Sequence, residues 1–182
     1  VDQLLQQGAS VTLVTGPTSI RPNAKAKVIT VQSAQQMFKA VITELPLQDA
    51  LIFSAAVADY TPKTYSSNKI KKKDTEMFIE LVKTKDIAKE VGLLKTEQQI
   101  TVGFALETND EETNAYKKLS SKNLDFIVLN SMNNEATCFG GDNNKITIIE
   151  ESKATEFEFK PKTEVAVDII NYLNCKIDEK FN

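Results

Sequence analysis

The sequence predicts an α/β fold, a mainly parallel sheet covered by helices on both faces. Three observations carry that prediction. Short β-branched runs alternate with segments of helical periodicity through short connections, the pattern of parallel strands joined by crossover helices. One run, Ala50 to Val57 (ALIFSAAV), is apolar with no polar alternation and reads as a strand buried on both faces. A chain of 182 residues, 41% hydrophobic and 26% charged, is long enough for one well-buried domain and cramped for two. We therefore read residues 1–182 as a single domain.

Val1 to Gln7 reads as the last turns of a helix stopped by Gly8. A start in mid-helix, without an initial methionine, leads us to expect that the domain's amino-terminal part lies outside this chain. Val11 to Thr15 (VTLVT) is a strand broken by Gly16-Pro17, and Lys27 to Val31 (KVITV) is a second. Ser33 caps a helix over 34–45 with Pro46 beyond it, and Met37, Ala40, Val41 and Leu45 form its core stripe. After the strand at 50–57, the polar segment 64–76 carries Lys69, Lys71, Lys72 and Lys73 and reads as a mobile flap. Residues 77–82 (MFIELV) read as a short strand outside the alternation. A helix over 86–94, a buried strand over 100–105, an amphipathic helix over about 110–122 and a buried strand over 125–130 restore it. A loop over 131–144 precedes a hairpin of 145–150 with 156–160. A helix from Lys162 to about Ile177 closes the chain, burying Val165, Val167, Ile169, Ile170 and Leu173.

The totals exclude several chemistries. A net charge of −3 lacks the basic footprint of a nucleic-acid binder. No apolar run is long enough to cross a bilayer, and no signal-peptide pattern is present. Cys138 and Cys175 match no metal spacing and read as reduced thiols of a cytoplasmic protein. Histidine is absent, which removes Ser-His-Asp and Cys-His triads, histidine bases and His-ligated zinc together. Chemistry here must run on carboxylates, lysines, backbone amides and a cofactor or metal.

Asp59 falls where the strand at 50–57 should end, and open α/β sheets bind ligands outside the carboxyl ends of their strands. It serves equally well as the cap of a turn. The clustered flap lysines suit a polyphosphate by charge and hydrogen bonding, and suit a solvated face as well.

Taken in order, AAVADY (55–60), Pro62 and KIKK (69–72) resemble the phosphopantothenate–cysteine ligase family of coenzyme A biosynthesis. Four further stretches resemble it in the same order: VTLVTGP (11–17), VGFALETN (102–109), KKLSSKNLDFIVLN (117–130) and FGGDNNKITII (139–149). The resemblance covers about residues 3 to 173. It implies a Rossmann-like three-layer α/β domain with a flap and a C-terminal β-hairpin. It also implies a reaction, the CTP-dependent joining of 4′-phosphopantothenate to L-cysteine through an acyl-cytidylate. With it come Mg²⁺ or Mn²⁺ on the phosphates, a homodimer, and in bacterial members a frequent fusion to a flavin-dependent decarboxylase; we expect the odd strand 77–82 to help pair the two copies.

Carried over residue by residue, the resemblance implies a nucleotide site with Phe53, Ser54 and Ala55 at a strand end and Asp59 binding nucleotide or metal. Lys69 reaches the phosphates and is the catalytic candidate, because an ammonium neutralises charge developing in the transfer. Lys85, Asp86, Ile87 and Ala88 open a helix whose free amides favour anions. Phe104 packs on the nucleotide, and Lys118 and Lys122, four residues apart, share a helix face. Taken without the resemblance, Phe104 reads equally as core and the two lysines as surface charge. Two departures stand out. The family's amino-terminal strand, its glycine turn and an asparagine should precede Val1, and Lys85 replaces a common proline. Two other readings stay open at this point. One is a dinucleotide oxidoreductase, which needs a G-x-G-x-x-G turn that this chain lacks. The other is a non-catalytic nucleotide-binding module.

Overall fold

The computed structural model describes residues 1–66, 68–70, 77–107, 110–131 and 141–181. In chain order the elements are α1 (Asp2–Gln6), β1 (Thr12–Thr15), β2 (Lys27–Thr30), α2 (Ala34–Glu44), β3 (Ala50–Phe53), β4 (Tyr60–Pro62), β5 (Leu81–Lys83) and α3 (Ile87–Leu94). They continue with β6 (Ile100–Glu107), α4 (Glu111–Ser121), β7 (Phe126–Ser131), β8 (Asn143–Asn144), β9 (Ile146–Ile149), β10 (Ala154–Glu156), β11 (Lys160–Pro161) and α5 (Lys162–Phe181).

Alternation along the strands sorts the core into two layers. Ile100 and Val102, Phe126 and Val128, and Ile146 and Ile148 face one side of the sheet and bury against Val165, Ile169 and Leu173 of α5. The intervening Ile127, Leu129 and Ile149 face the other side, against Ala115 and Leu119 of α4. The sheet between them runs β10-β9-β7-β6-β3, with β3, β6 and β7 parallel and the β9–β10 hairpin antiparallel. This is the expected mixed α/β architecture with a mainly parallel sheet and a closing hairpin. β1 and β2 form a separate parallel pair.

Two local devices fix where α3 and α4 lie, and the sequence pattern had not shown either. At the amino-terminal end of the sheet, Asp125 accepts from Lys95 Nζ at 2.6 Å, from the Thr101 backbone N–H at 2.7 Å and from Lys180 Nζ at 3.0 Å. It thereby ties the end of α3 and the end of α5 to the start of β6. Burial pushes this carboxyl up, and the lysine and backbone hydrogen bonds outweigh it, so the group sits below the usual carboxylate range. The second device is Gly92. A Cβ there would lie 1.9 Å from the Lys122 carbonyl oxygen, and the Asn123 side chain donates to the Gly92 carbonyl at 2.8 Å. Asn123 adopts the left-handed conformation that turns α4 back toward β7.

Several boundaries differ from expectation. The strand at 50–57 stops at Phe53, and only Leu51 in it is fully buried. Its last ladder partner is Gly103, and beyond it Ser54, Ala55 and Ala56 are exposed and too small to fill a core. The α2 stripe is also less buried than its periodicity suggests. Met37, Ala40 and Val41 are half-buried and only Leu45, in the following turn, is buried, because that face of α2 lies over open clefts. The strand at 77–82 shrinks to β5, which pairs antiparallel with β4 as an exposed ribbon. The hairpin's second strand is 154–156, while Lys160–Pro161 pairs with Asn143–Asn144 instead. The closing helix runs on to Phe181. Of the flap, residues 64–66 and 68–70 are exposed. Lys71, Lys72 and Lys73, together with Thr108, Asn109, Cys138 and most of the loop at 131–144, lie outside the described residues.

Candidate active site

The carboxyl ends of β3 and β6 open into a cleft of about 180 Å³ between the start of α3 and the end of α4. This is smaller than the roughly 300–1,000 Å³ of ordinary ligand pockets. A cleft of this size has room for one ring of a ligand rather than for a whole nucleotide.

Three segments bring their side chains here. The chain leaving β3 supplies Phe53, Ala55 and Asp59, with Asp59 exposed at the mouth. Thr84 pins that segment: its hydroxyl donates to the Ala58 carbonyl at 2.6 Å and its N–H to the Asp59 carbonyl at 2.9 Å. The start of α3 supplies Lys85, Asp86, Ile87 and Ala88. Phe104, 41% exposed at the end of β6, forms a wall, and Lys118 and Lys122 close the cleft from α4.

Asp86 is the hinge of the charges. Its carboxylate caps α3 by accepting from the Lys89 N–H at 3.1 Å and pairs with Lys122 Nζ at 2.9 Å. Burial pushes the carboxyl up. The Lys122 and Lys89 hydrogen bonds and both charges outweigh it and hold the group below the usual range. Lys85 lies over the Phe38 ring, 4.5 Å from its centroid. The lining therefore presents three lysines and two carboxylates around a helix amino terminus, a field suited to an anion. Asp86→Ala should remove the cap and lower stability by about 1 kcal/mol. Its folded carboxyl titrates below its unfolded one. The wild-type advantage is thus present above about pH 4 and fades as pH falls through the folded value, which pH-dependent melting checks.

Ten of the twelve predicted site residues line this one cleft. Ser54 does not; it faces another groove, with Leu13 and Ile177. Lys69 is exposed on the flap and outside the cleft lining. Sequence reading had missed Thr84, Gly103 and the Met37–Val41 edge of α2. For Thr84 the signal was available in Thr84-Lys85-Asp86 placed just ahead of an apolar helical run. A larger depression of about 1030 Å³ lies beyond the ends of β1 and β2, with Arg21 and Lys39 on its rim. It is open surface and gathers none of the predicted residues, so the smaller cleft is the better candidate.

Among the described residues, no three His, Cys, Asp or Glu side chains converge as a metal cage. A lone carboxylate at a cleft mouth suits a divalent ion that arrives on substrate phosphates, since Mg²⁺ is commonly held by one or two carboxylates plus phosphate oxygens. No described helix is long and apolar enough to cross a membrane.

Comparison with known proteins places this geometry in context. A cysteine/cysteine sulfinic acid decarboxylase from an unidentified prokaryote is 50% identical over 171 residues, 93% of this chain and 48% of that protein. The coenzyme A biosynthesis bifunctional protein of Bacillus subtilis is 45% identical over 168 residues, 91% of this chain and 41% of that one. This chain thus spans less than half the length of these relatives. The crystal structure of the C-terminal domain of a coenzyme A biosynthesis bifunctional protein superposes with a TM-score of 0.79 at 34% identity, over 96% of this chain and 80% of that domain. The family model for the DNA/pantothenate metabolism flavoprotein C-terminal domain matches residues 1–175, and the chain belongs to that family.

Proposed function

We propose that this chain carries the phosphopantothenate–cysteine ligase site of coenzyme A biosynthesis, with CTP as the activating nucleotide. The observation that carries the reading is the cleft itself. Asp59, the Asp86–Lys122 pair, Lys118 and Phe104 meet at the carboxyl ends of two parallel strands and the amino terminus of α3. The identity to a coenzyme A biosynthesis protein supports the pathway.

A carboxylate is a poor acyl donor until one oxygen becomes a phosphate leaving group. In the proposed sequence the 4′-phosphopantothenate carboxylate oxygen attacks the CTP α-phosphorus and pyrophosphate leaves. The cysteine amine then attacks the acyl carbon, loses a proton and expels CMP. Neither step needs a strong base, so a chain without histidine is equipped for both. Phe104 offers a face for the base, and the α3 amides with Lys118 and Lys122 offer positive charge to the phosphates. Asp59 would hold Mg²⁺ or Mn²⁺, which when bound neutralises phosphate charge. Lys69, exposed on the flap and outside the cleft lining, is assigned to the reacting phosphate.

The apolar β4–β5 ribbon suits a second copy of the chain. Tyr60, Leu81 and Val82 are exposed on it and Phe78 beside it, and such patches commonly mark interfaces. A homodimer in the cytoplasm, with fusion to a decarboxylase in a longer parent, completes the reading. Chain that sediments as a monomer at micromolar concentration would remove the dimer from it.

Pyrophosphate release with CTP, 4′-phosphopantothenate and Mg²⁺ tests the reading. Release should require phosphopantothenate, continue to amide product only with cysteine, and fall about tenfold or more in Lys69→Ala, the scale on which a lost charge-stabilising group is felt. Release without phosphopantothenate, or an unaffected Lys69→Ala, would contradict it. CTP binding without any release would instead favour the non-catalytic module.

A further inference from the structure

We infer that Lys85 is a phosphate ligand held in reserve. Its ammonium rests on the Phe38 ring and passes from there to the outer phosphates of a nucleoside triphosphate, so that the cleft selects a triphosphate over a monophosphate. This role presupposes the nucleotide reading of the cleft and goes further, naming the residue that senses the length of the phosphate chain.

The backbone around Lys85 is fixed on both sides. β4 and β5 pair Tyr60 with Lys83, and Thr84 carries that ladder one residue further by donating its N–H to the Asp59 carbonyl at 2.9 Å. The Thr84 hydroxyl holds the Ala58 carbonyl at 2.6 Å, and on the other side Asp86 caps α3. The Lys85 side chain alone therefore decides where its ammonium sits. It sits over the Phe38 ring of α2, 4.5 Å from the centroid. Phe38 is half-buried in the middle of a regular helix, so the ring is a fixed platform.

Lys85 thus holds a weak partner with a stronger one close by. Asp59 lies across the ladder, opposite Thr84, yet neither Asp59 nor Lys85 has an ion-pair partner among the described residues. An exposed cation–π contact is weaker than a charge-assisted hydrogen bond to a phosphate oxygen, so a phosphate chain within reach draws the ammonium off the ring. Lys122 is placed differently, half-buried and committed to Asp86 at 2.9 Å. The lining grades its cations in this way. Lys118 and Lys122 are half-buried and serve the part of a ligand that enters, whereas Lys85 is exposed at the mouth with Asp59. Since the cleft takes one ring, the part left at the mouth is the phosphate chain. The ring keeps the long lysine side chain pre-positioned, which lowers its ordering cost on binding. It also keeps the ammonium off Asp59, whose carboxylate stays open to a divalent ion.

Calorimetric binding of CTP and of CMP, each with Mg²⁺, to wild type, Lys85→Met and Lys85→Arg tests this role. Lys85→Met keeps an apolar stem on the ring and removes the charge. It should weaken CTP by about tenfold, the scale of a lost charge-assisted hydrogen bond, and leave CMP affinity unchanged. Lys85→Arg should retain the preference, because a guanidinium both stacks on a ring and binds phosphate. Side-chain NMR adds a signature that a merely structural role would not move. The Lys85 Hε resonances should lie upfield under the Phe38 ring current and lose that shift in Phe38→Leu. In wild type they should lose it with CTP and keep it with CMP. Equal losses of CTP and CMP affinity in Lys85→Met would overturn the role, as would a ring-current shift that persists with CTP bound. Full CTP affinity in Lys85→Met would remove this role and leave the nucleotide reading standing. Wild type that binds neither nucleotide would remove both.

Discussion

Asp125→Ala is expected to lose about 3 kcal/mol of stability, the lower end of the cost of removing one partner from a buried ion pair, since this hydrogen-bonded cluster is part-buried. The Lys95 side chain is only 9% exposed, and Asp125 is its ion-pair partner at 2.6 Å. Without the carboxylate, its ammonium keeps a hydrogen bond to the Thr101 hydroxyl and loses its counter-charge. Lys180 and the Thr101 N–H lose an acceptor in the same change. The effect has a pH signature. The folded carboxyl sits below its ordinary value of 3.8, so its contribution is fully present above that value. It is lost as pH falls through the unfolded and then the folded pKa. Thermal melts from neutral to acid pH should show wild type losing stability below about pH 4–5, and Asp125→Asn losing less over the same window. A variant melting within 1 kcal/mol of wild type at neutral pH would show that the cluster is ornamental, contrary to the cost such buried pairs carry.

Gly92→Ala is expected to cost about 3 kcal/mol, at the upper end for overpacking, because the obstacle is a backbone carbonyl rather than a flexible side chain. The added methyl would sit 1.9 Å from the Lys122 oxygen and 3.2 Å from Asn123 Cβ. Either α3 or the α4–β7 turn must move, and both carry site residues: Asp86 to Ala88 on one, Lys118 and Lys122 on the other. The substitution should therefore weaken CTP binding as well as stability. Measuring both separates it from Asp125→Ala, a residue outside the cleft lining. Retained affinity in a destabilised Gly92→Ala would mean the cleft does not depend on this contact.

The order of elements was legible because each is written in a local pattern. The β-branched runs at Lys27 and Ile100, Ser33 as a cap, and the periodic apolar face of residues 165–173 all specify structure within a few residues. What was not legible depends on contacts across the chain. The strand from Ala50 ends where its pairing with β6 stops, at Gly103, although β6 itself runs on to Glu107, and the Ser54–Val57 stretch gives no hint of that. The α2 stripe has helical periodicity whether or not a strand lies beneath it, so pattern alone read half-buried residues as core. Asp125 looks like an ordinary strand-start carboxylate until Lys95, thirty residues before it, and Lys180, fifty-five after, are seen to converge on it. The candidate site followed from resemblance in motif order; spacing alone left Phe104 undecided between core and site, and Lys118 and Lys122 as surface charge.

The most direct test of the cleft is a titration of isotope-labelled chain with CTP and Mg²⁺, followed by amide NMR. The expected result is saturable shifts concentrated at Ala55, Asp86 to Ala88, Phe104, Lys118 and Lys122, weakened in Lys122→Ala. Shifts confined to the Arg21–Lys39 depression, or none at millimolar CTP, a concentration at which even an affinity of about 4 kcal/mol is seen, would contradict a nucleotide site between α3 and α4.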